Sequence, residues 1–94
     1  MIDRPLPTYQ EYIGHEIVLD LDAPFVVLGR FIEMRGDSFL LEDADLHDLR
    51  DTASTREKYT LDCREHGIRP NRRKVFVPLR QVVAISLLEA VIES

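Results

Sequence analysis

The stretch Phe25-Val26-Val27-Leu28-Gly29-Arg30-Phe31-Ile32-Glu33-Met34 is a long run of β-branched, aromatic and aliphatic residues with a glycine at its middle. Such residues suit a pleated, half-buried surface. A glycine inside such a run marks a bulge or a sharp bend, the device by which small barrels turn their corners. Turn residues bound the run on both sides, Asp22-Ala23-Pro24 before it and Arg35-Gly36-Asp37 after it. Just upstream, residues 15–21 alternate, with Ile17, Leu19 and Leu21 set against Glu16, Val18 and Asp20. That period of two predicts an antiparallel strand with one buried and one polar face. Just downstream, residues 38–46 form a third predicted strand around Phe39, Leu40 and Leu41.

Further out the pattern changes. Thr8 and Glu11 have capping-box spacing, which predicts a short helix over 9–13 that ends at Gly14. After the third strand, residues 46–74 are polar and charged. Ser54 and Glu57 form a second capping box, Tyr59, Cys63 and His66 fall on one helical face, and Gly67 and Pro70 close the segment. This predicts a helix over 55–66 inside a long insert. Residues 75–77 and 82–85 are two short strands joined by the turn Pro78-Leu79-Arg80-Gln81. The tail 87–92 is apolar at Leu87, Leu88, Val91 and Ile92, suiting a short helix or a strand extension.

The chain has 94 residues, which suits one small domain. Small domains bury a modest share of their surface, so association would help this one. Its net charge of −5 argues against a general nucleic-acid coat, although a local basic site remains compatible with it. A single cysteine, Cys63, allows no internal disulfide and fits a reducing compartment. No signal-peptide pattern follows Met1, and no apolar run is long enough to span a bilayer, so a cytoplasmic location without membrane contact is expected.

The order helix, three strands, helical insert, two strands resembles the Sm and Sm-like family. The resemblance rests on Tyr12-Ile13-Gly14-His15-Glu16-Ile17-Val18-Leu19, Gly29-Arg30-Phe31 and Phe39-Leu40-Leu41-Glu42-Asp43-Ala44 as a first motif. Val75-Phe76-Val77 and Val82-Val83-Ala84-Ile85 form the second. It implies a mostly β fold, a small five-stranded SH3-like (Sm-fold) barrel with a short N-terminal helix and a helical insert between strands 3 and 4. The single Sm-like domain over 1–94 would divide into a first motif region (8–46), the insert (47–73), a second motif region (74–86) and a tail (87–94). The family closes homo-oligomeric rings through the free edges of strands 4 and 5, which unpaired ladders and cyclic symmetry favour. Family rings hold single-stranded uridines by base-edge hydrogen bonds and stacking. Two segments do this, and both depart here. Asp37 falls where the stacking side chain is expected and Ser38 where asparagine is. Pro78-Leu79 replaces the usual Arg-Gly pair, with Arg80 displaced from the arginine position.

Other clusters carry a bland and a sharp reading. Glu42, Asp43, Asp45, Asp48 and Asp51 precede the insert, while Arg69, Arg72, Arg73 and Lys74 close it. If strands 3 and 4 pair, these become opposite-charge cross-strand partners, each contributing roughly 0.2–1 kcal/mol. The sharper reading makes the four cations a phosphate-binding patch on one face of a ring. Asp43, Asp45 and His47 alternate along a strand, a candidate set for a divalent metal, though strand-end acids are usually solvated or salt-bridged. Cys63 and His66 have thiol–imidazole spacing, but no third orienting group accompanies them, and a buried helix-face cysteine is the stronger reading. No phosphate loop, zinc-ligand spacing or hydrolase elbow occurs. The expectation is a non-catalytic, cofactor-free, ring-forming scaffold with weak or non-family RNA binding through Asp37, Ser38, Arg80, Arg69, Arg72, Arg73 and Lys74. Its partners would be itself and either a single-stranded RNA or a protein. A genuine single-stranded RNA-binding Sm-like protein is the alternative, and a metal-binding domain at 43–48 a remote one.

Overall fold

A computed structural model describes residues 9–93. Its elements are β1 (Glu16–Leu21), β2 (Phe25–Arg35), β3 (Ser38–Asp48), α1 (Arg56–His66), β4 (Arg72–Pro78) and β5 (Val82–Leu87). Short 3-10 turns at Gln10–Tyr12, Leu49–Asp51, Leu79–Gln81 and Leu88–Ala90 complete the order. The five strands form one antiparallel sheet in the order β4-β3-β2-β1-β5, so β4 and β5 are its edges. The fold is therefore mostly β, and α1 lies between β3 and β4 as expected.

Gly29 performs the bend anticipated from its sequence position. A Cβ there would lie 2.9 Å from the Ala44 Cβ and 3.0 Å from its Cα, closer than side chains normally approach. The β2–β3 register shifts at this glycine, between Leu28 and Arg30, and again beyond it, between Phe31 and Glu33. Opposite the bend, Asp43 takes a left-handed backbone conformation (φ 50°) that few non-glycine residues adopt. This irregularity lets two long strands curve around a core of Ile17, Leu19, Val27, Phe31, Phe39, Leu41 and Val77.

The sheet is buried on both faces, and here the one-sided reading of β1 needs correction. Val18 belongs to the predicted polar face, yet it is buried with Val26 and Leu28 against Cys63 of α1 and Leu88. Burying each such side chain stabilises by roughly 1.5–3 kcal/mol. Asp20, on that same face, is satisfied by Arg56 at 3.2 Å.

Several boundaries move, with β3 running on to Asp48 and β5 taking in Leu87 of the tail. The N-terminal helix shortens to a single 3-10 turn, with Tyr9 left-handed before it (φ 59°) and Gly14 (φ 88°) after it. The Thr8 cap lies outside the described residues. The N-cap of α1 is Thr55, whose hydroxyl accepts from the Lys58 N–H at 3.2 Å, rather than Ser54, whose own N–H donates to Thr52 Oγ1 at 3.3 Å. β4 begins at Arg72, three residues earlier than its apolar pattern, because pairing with β3 continues past the apolar residues to Ala44. The tail resolves as the 3-10 turn Leu88–Ala90.

Candidate functional site

The residues singled out from the sequence form two groups. At one end of the sheet the β2–β3 turn meets the β4–β5 turn. Ser38 pairs with Pro78, the Leu79 N–H donates to the Asp37 carbonyl at 2.7 Å, and the Gln81 carbonyl accepts from the Asp22 N–H at 2.9 Å. Asp37, Ser38, Leu79 and Arg80 are thus brought together, with Asp37 and Arg80 both exposed. The chemistry offered there is a carboxylate, a hydroxyl and one cation. A carboxylate cannot stack on a base, and a hydroxyl lacks the paired donor and acceptor of an amide.

Arg69, Arg72, Arg73 and Lys74 lie toward the opposite end of β4, with Arg72 roughly 20 Å along the strand from Pro78 at about 3.3 Å per residue. The β3–β4 pairing expected for this segment is present, but the cross-strand ion pairs are not. The register sets Glu42 beside Lys74 and Ala44 beside Arg72. Yet the Glu42 carboxylate is taken by Arg30 at 3.1 Å, and Asp43 by the same guanidinium at 3.2 Å. Arg35 pairs with Glu33, Arg50 with Asp48 at 2.8 Å and Arg56 with Asp20. Among the described residues no carboxylate stands within salt-bridge distance of Arg69, Arg72, Arg73 or Lys74, and all four are exposed. Glu42 and Asp43 are held instead by Arg30, and Asp48 by Arg50.

One residue that the sequence reading missed holds this segment in place. The Asn71 side-chain amide accepts from the Leu46 N–H at 2.9 Å and donates to the Leu46 carbonyl at 3.0 Å. Its backbone N–H donates to Ala44 at 2.8 Å. An amide side chain standing in for a peptide group extends the ladder past the end of β4. No local sequence pattern announces this, because its partners Leu46 and Ala44 come from β3, the nearer of them 25 positions away.

The proposed metal set is dismantled. The left-handed kink at Asp43 breaks the alternation, so Asp43 turns to Arg30 in solvent while Asp45 goes inside, 3% exposed. Asp45 accepts from the Tyr59 hydroxyl and from Asn71 at 3.3 Å. His47 stacks on the Tyr59 ring, centroids 3.9 Å apart. Among the described residues no three His, Cys, Asp or Glu side chains converge as a metal-binding group. Burial, then the bond to Asp45, push the Tyr59 hydroxyl well above the usual phenol range. Burial, then the Asp45 charge, push the Cys63 thiol up as well. His66 is exposed while Cys63 is buried, so the two do not form a reactive pair. Farther along, hydrogen bonds from Arg50 lower the Asp48 carboxyl to about 2.

No family model matches the chain, and no curated protein does. Solved structures do. An Sm protein of Pyrococcus abyssii in complex with a uridine heptamer is similar over 90% of this chain and 99% of its own, with 20% identity and a TM-score of 0.59. A chain of the NatC complex bound to CoA is similar over 94% of each chain, with 17% identity and a TM-score of 0.57. Both likenesses concern the fold.

Proposed function

On this Sm-like fold, we propose that the chain is a non-catalytic, ring-forming subunit that serves as an assembly scaffold and does not hold uridines in the family manner. The observation that carries the reading is the pair of unsatisfied sheet edges. β4 and β5 are both outermost, and each exposes apolar surface at or beside its edge, Val83 at 68% on β5 and Leu79 at 39% after β4. A free ladder flanked by exposed apolar side chains is a template for another copy. Pairing β4 of one subunit with β5 of the next satisfies every copy alike. The similarity to a chain from a protein complex supports the scaffold side. The similarity to an RNA-bound Sm protein supports the RNA side, against which stand the carboxylate of Asp37 and the missing Arg-Gly pair.

Native mass spectrometry tests the assembly. The expected result is one discrete oligomer that Val83→Lys dissociates. A monomer at every concentration overturns the ring. Tight, uridine-selective binding lost on Asp37→Ala would overturn the reading of the turn.

A further inference from the structure

We propose that one face of β4 binds the phosphate backbone of single-stranded RNA, with Phe76 as the stacking platform, independently of the loops at Asp37 and Leu79. Strand alternation places Arg72, Lys74 and Phe76 in one row, at intervals of roughly 6.6 Å from twice the strand rise. That repeat is close to the distance between successive phosphates of an extended single strand. All three are exposed, Phe76 at 47%, and the Arg35 guanidinium sits 5.9 Å from its ring centroid. A row of two cations and an aromatic is the combination that sequence-tolerant single-strand binders use.

Three further features favour a phosphate chain. The cations of this row, like Arg69 ahead of the strand and Arg73 on its opposite face, have no carboxylate partner among the described residues, whereas Arg30, Arg35, Arg50 and Arg56 all do. The row is preorganised, because Asn71 clamps the start of β4 to β3 through side chain and backbone. The chain as a whole carries −5, so an anionic strand is repelled elsewhere and confined to this strip. An acidic peptide would match the charge but would leave Phe76 without a base to stack on. Because strand side chains stand perpendicular to the ladder, pairing through the β4 backbone edge leaves the row in solvent.

The test uses the full chain with fluorescent 12-mers of oligo(A) and oligo(U) at 50 and 200 mM salt. Both oligomers are expected to bind. Two neutralised phosphates, at Arg72 and Lys74, predict about a 7-fold loss across that salt range, from a slope near −0.7 per contact. Arg72→Gln/Lys74→Gln should abolish binding. Phe76→Leu, which keeps the packing apolar, should weaken it by about 5- to 150-fold and leave the salt slope unchanged, as loss of one stacked base requires. Circular dichroism confirms that the variants are folded. The proposal is overturned by no oligo(A) binding at 50 mM salt, by binding indifferent to both variants, or by equal competition from a poly-glutamate peptide of matched charge. Ring formation is measured separately by mass, so either idea can fail while the other stands.

Discussion

At the scale of single residues, the fold depends on what is absent at position 29. The nearest neighbours of a Cβ there include the Ala44 Cα at 3.0 Å and the Glu42 carbonyl oxygen at 3.2 Å. Backbone atoms cannot swing aside as a side-chain tip can. Gly29→Ala should therefore destabilise by about 1–3 kcal/mol, the usual cost of overpacking. Urea denaturation would show it as a lower midpoint. Adding Ala44→Gly removes the 2.9 Å contact but not the backbone ones, so only part of the loss should return. Full recovery would mean that the close approach is relieved by side chains alone.

At the scale of elements, α1 is fastened to the sheet by Arg56, which pairs with Asp20, and by a polar contact set inside an apolar seam. Tyr59 donates to the buried Asp45 and stacks on His47, while Cys63 fills the space beside Val18 and Leu28. Tyr59→Phe keeps the ring and removes the donor. Leaving a buried carboxylate short of a partner should cost about 1–3 kcal/mol. The same contact makes a prediction in pH. The folded chain raises the Tyr59 hydroxyl above its ordinary 10.0, with burial the larger cause and Asp45 the second. Above pH 10 the unfolded chain releases this proton and the folded chain retains it. Stability from this group is therefore complete below pH 10 and falls as pH rises further. Urea midpoints from pH 8 to 11 should decline more steeply for the wild type than for Tyr59→Phe. Parallel declines would remove the linkage.

At the scale of the molecule, one sheet has both faces covered and both edges open. Its inner face packs on itself and its outer face is covered by α1 and the Leu88 turn. Among the described residues, what remains open is the two edge ladders and the outward row Arg72, Lys74 and Phe76 of β4. Among the described residues no helix is long and apolar enough to cross a membrane. If copies pair edge to edge, stability becomes concentration-dependent by mass action. Diluting the wild type a hundredfold removes roughly 2–3 kcal/mol per subunit and should lower its melting midpoint by about 10–20 °C, since roughly 1 kcal/mol shifts a domain of this size by 4–8 °C. Val83→Lys should melt at one temperature throughout. A wild type equally indifferent to dilution would argue against edge pairing.

Local pattern in the sequence was enough for the strands, the turns at Gly36 and Pro24, the bend at Gly29 and the helix between Thr55 and Gly67. Alternation, glycine and capping residues act through their immediate neighbours, so their consequences can be read in place. The charge of the Arg69–Lys74 segment was equally plain. Whether that charge is free could be decided only in three dimensions. Arg30 reaches Glu42 and Asp43 across the β2–β3 pair, which leaves the cations of β4 without partners. The burial of Val18 and Asp45, the Asn71 clamp and the loss of the Asp43–His47 set have the same origin. Each depends on which segments meet across 10 or more positions of chain, and on a backbone kink at Asp43 that reverses which side chains turn inward. Side-chain reach and strand register choose the partners, and neither is written in the order of residue types along one strand.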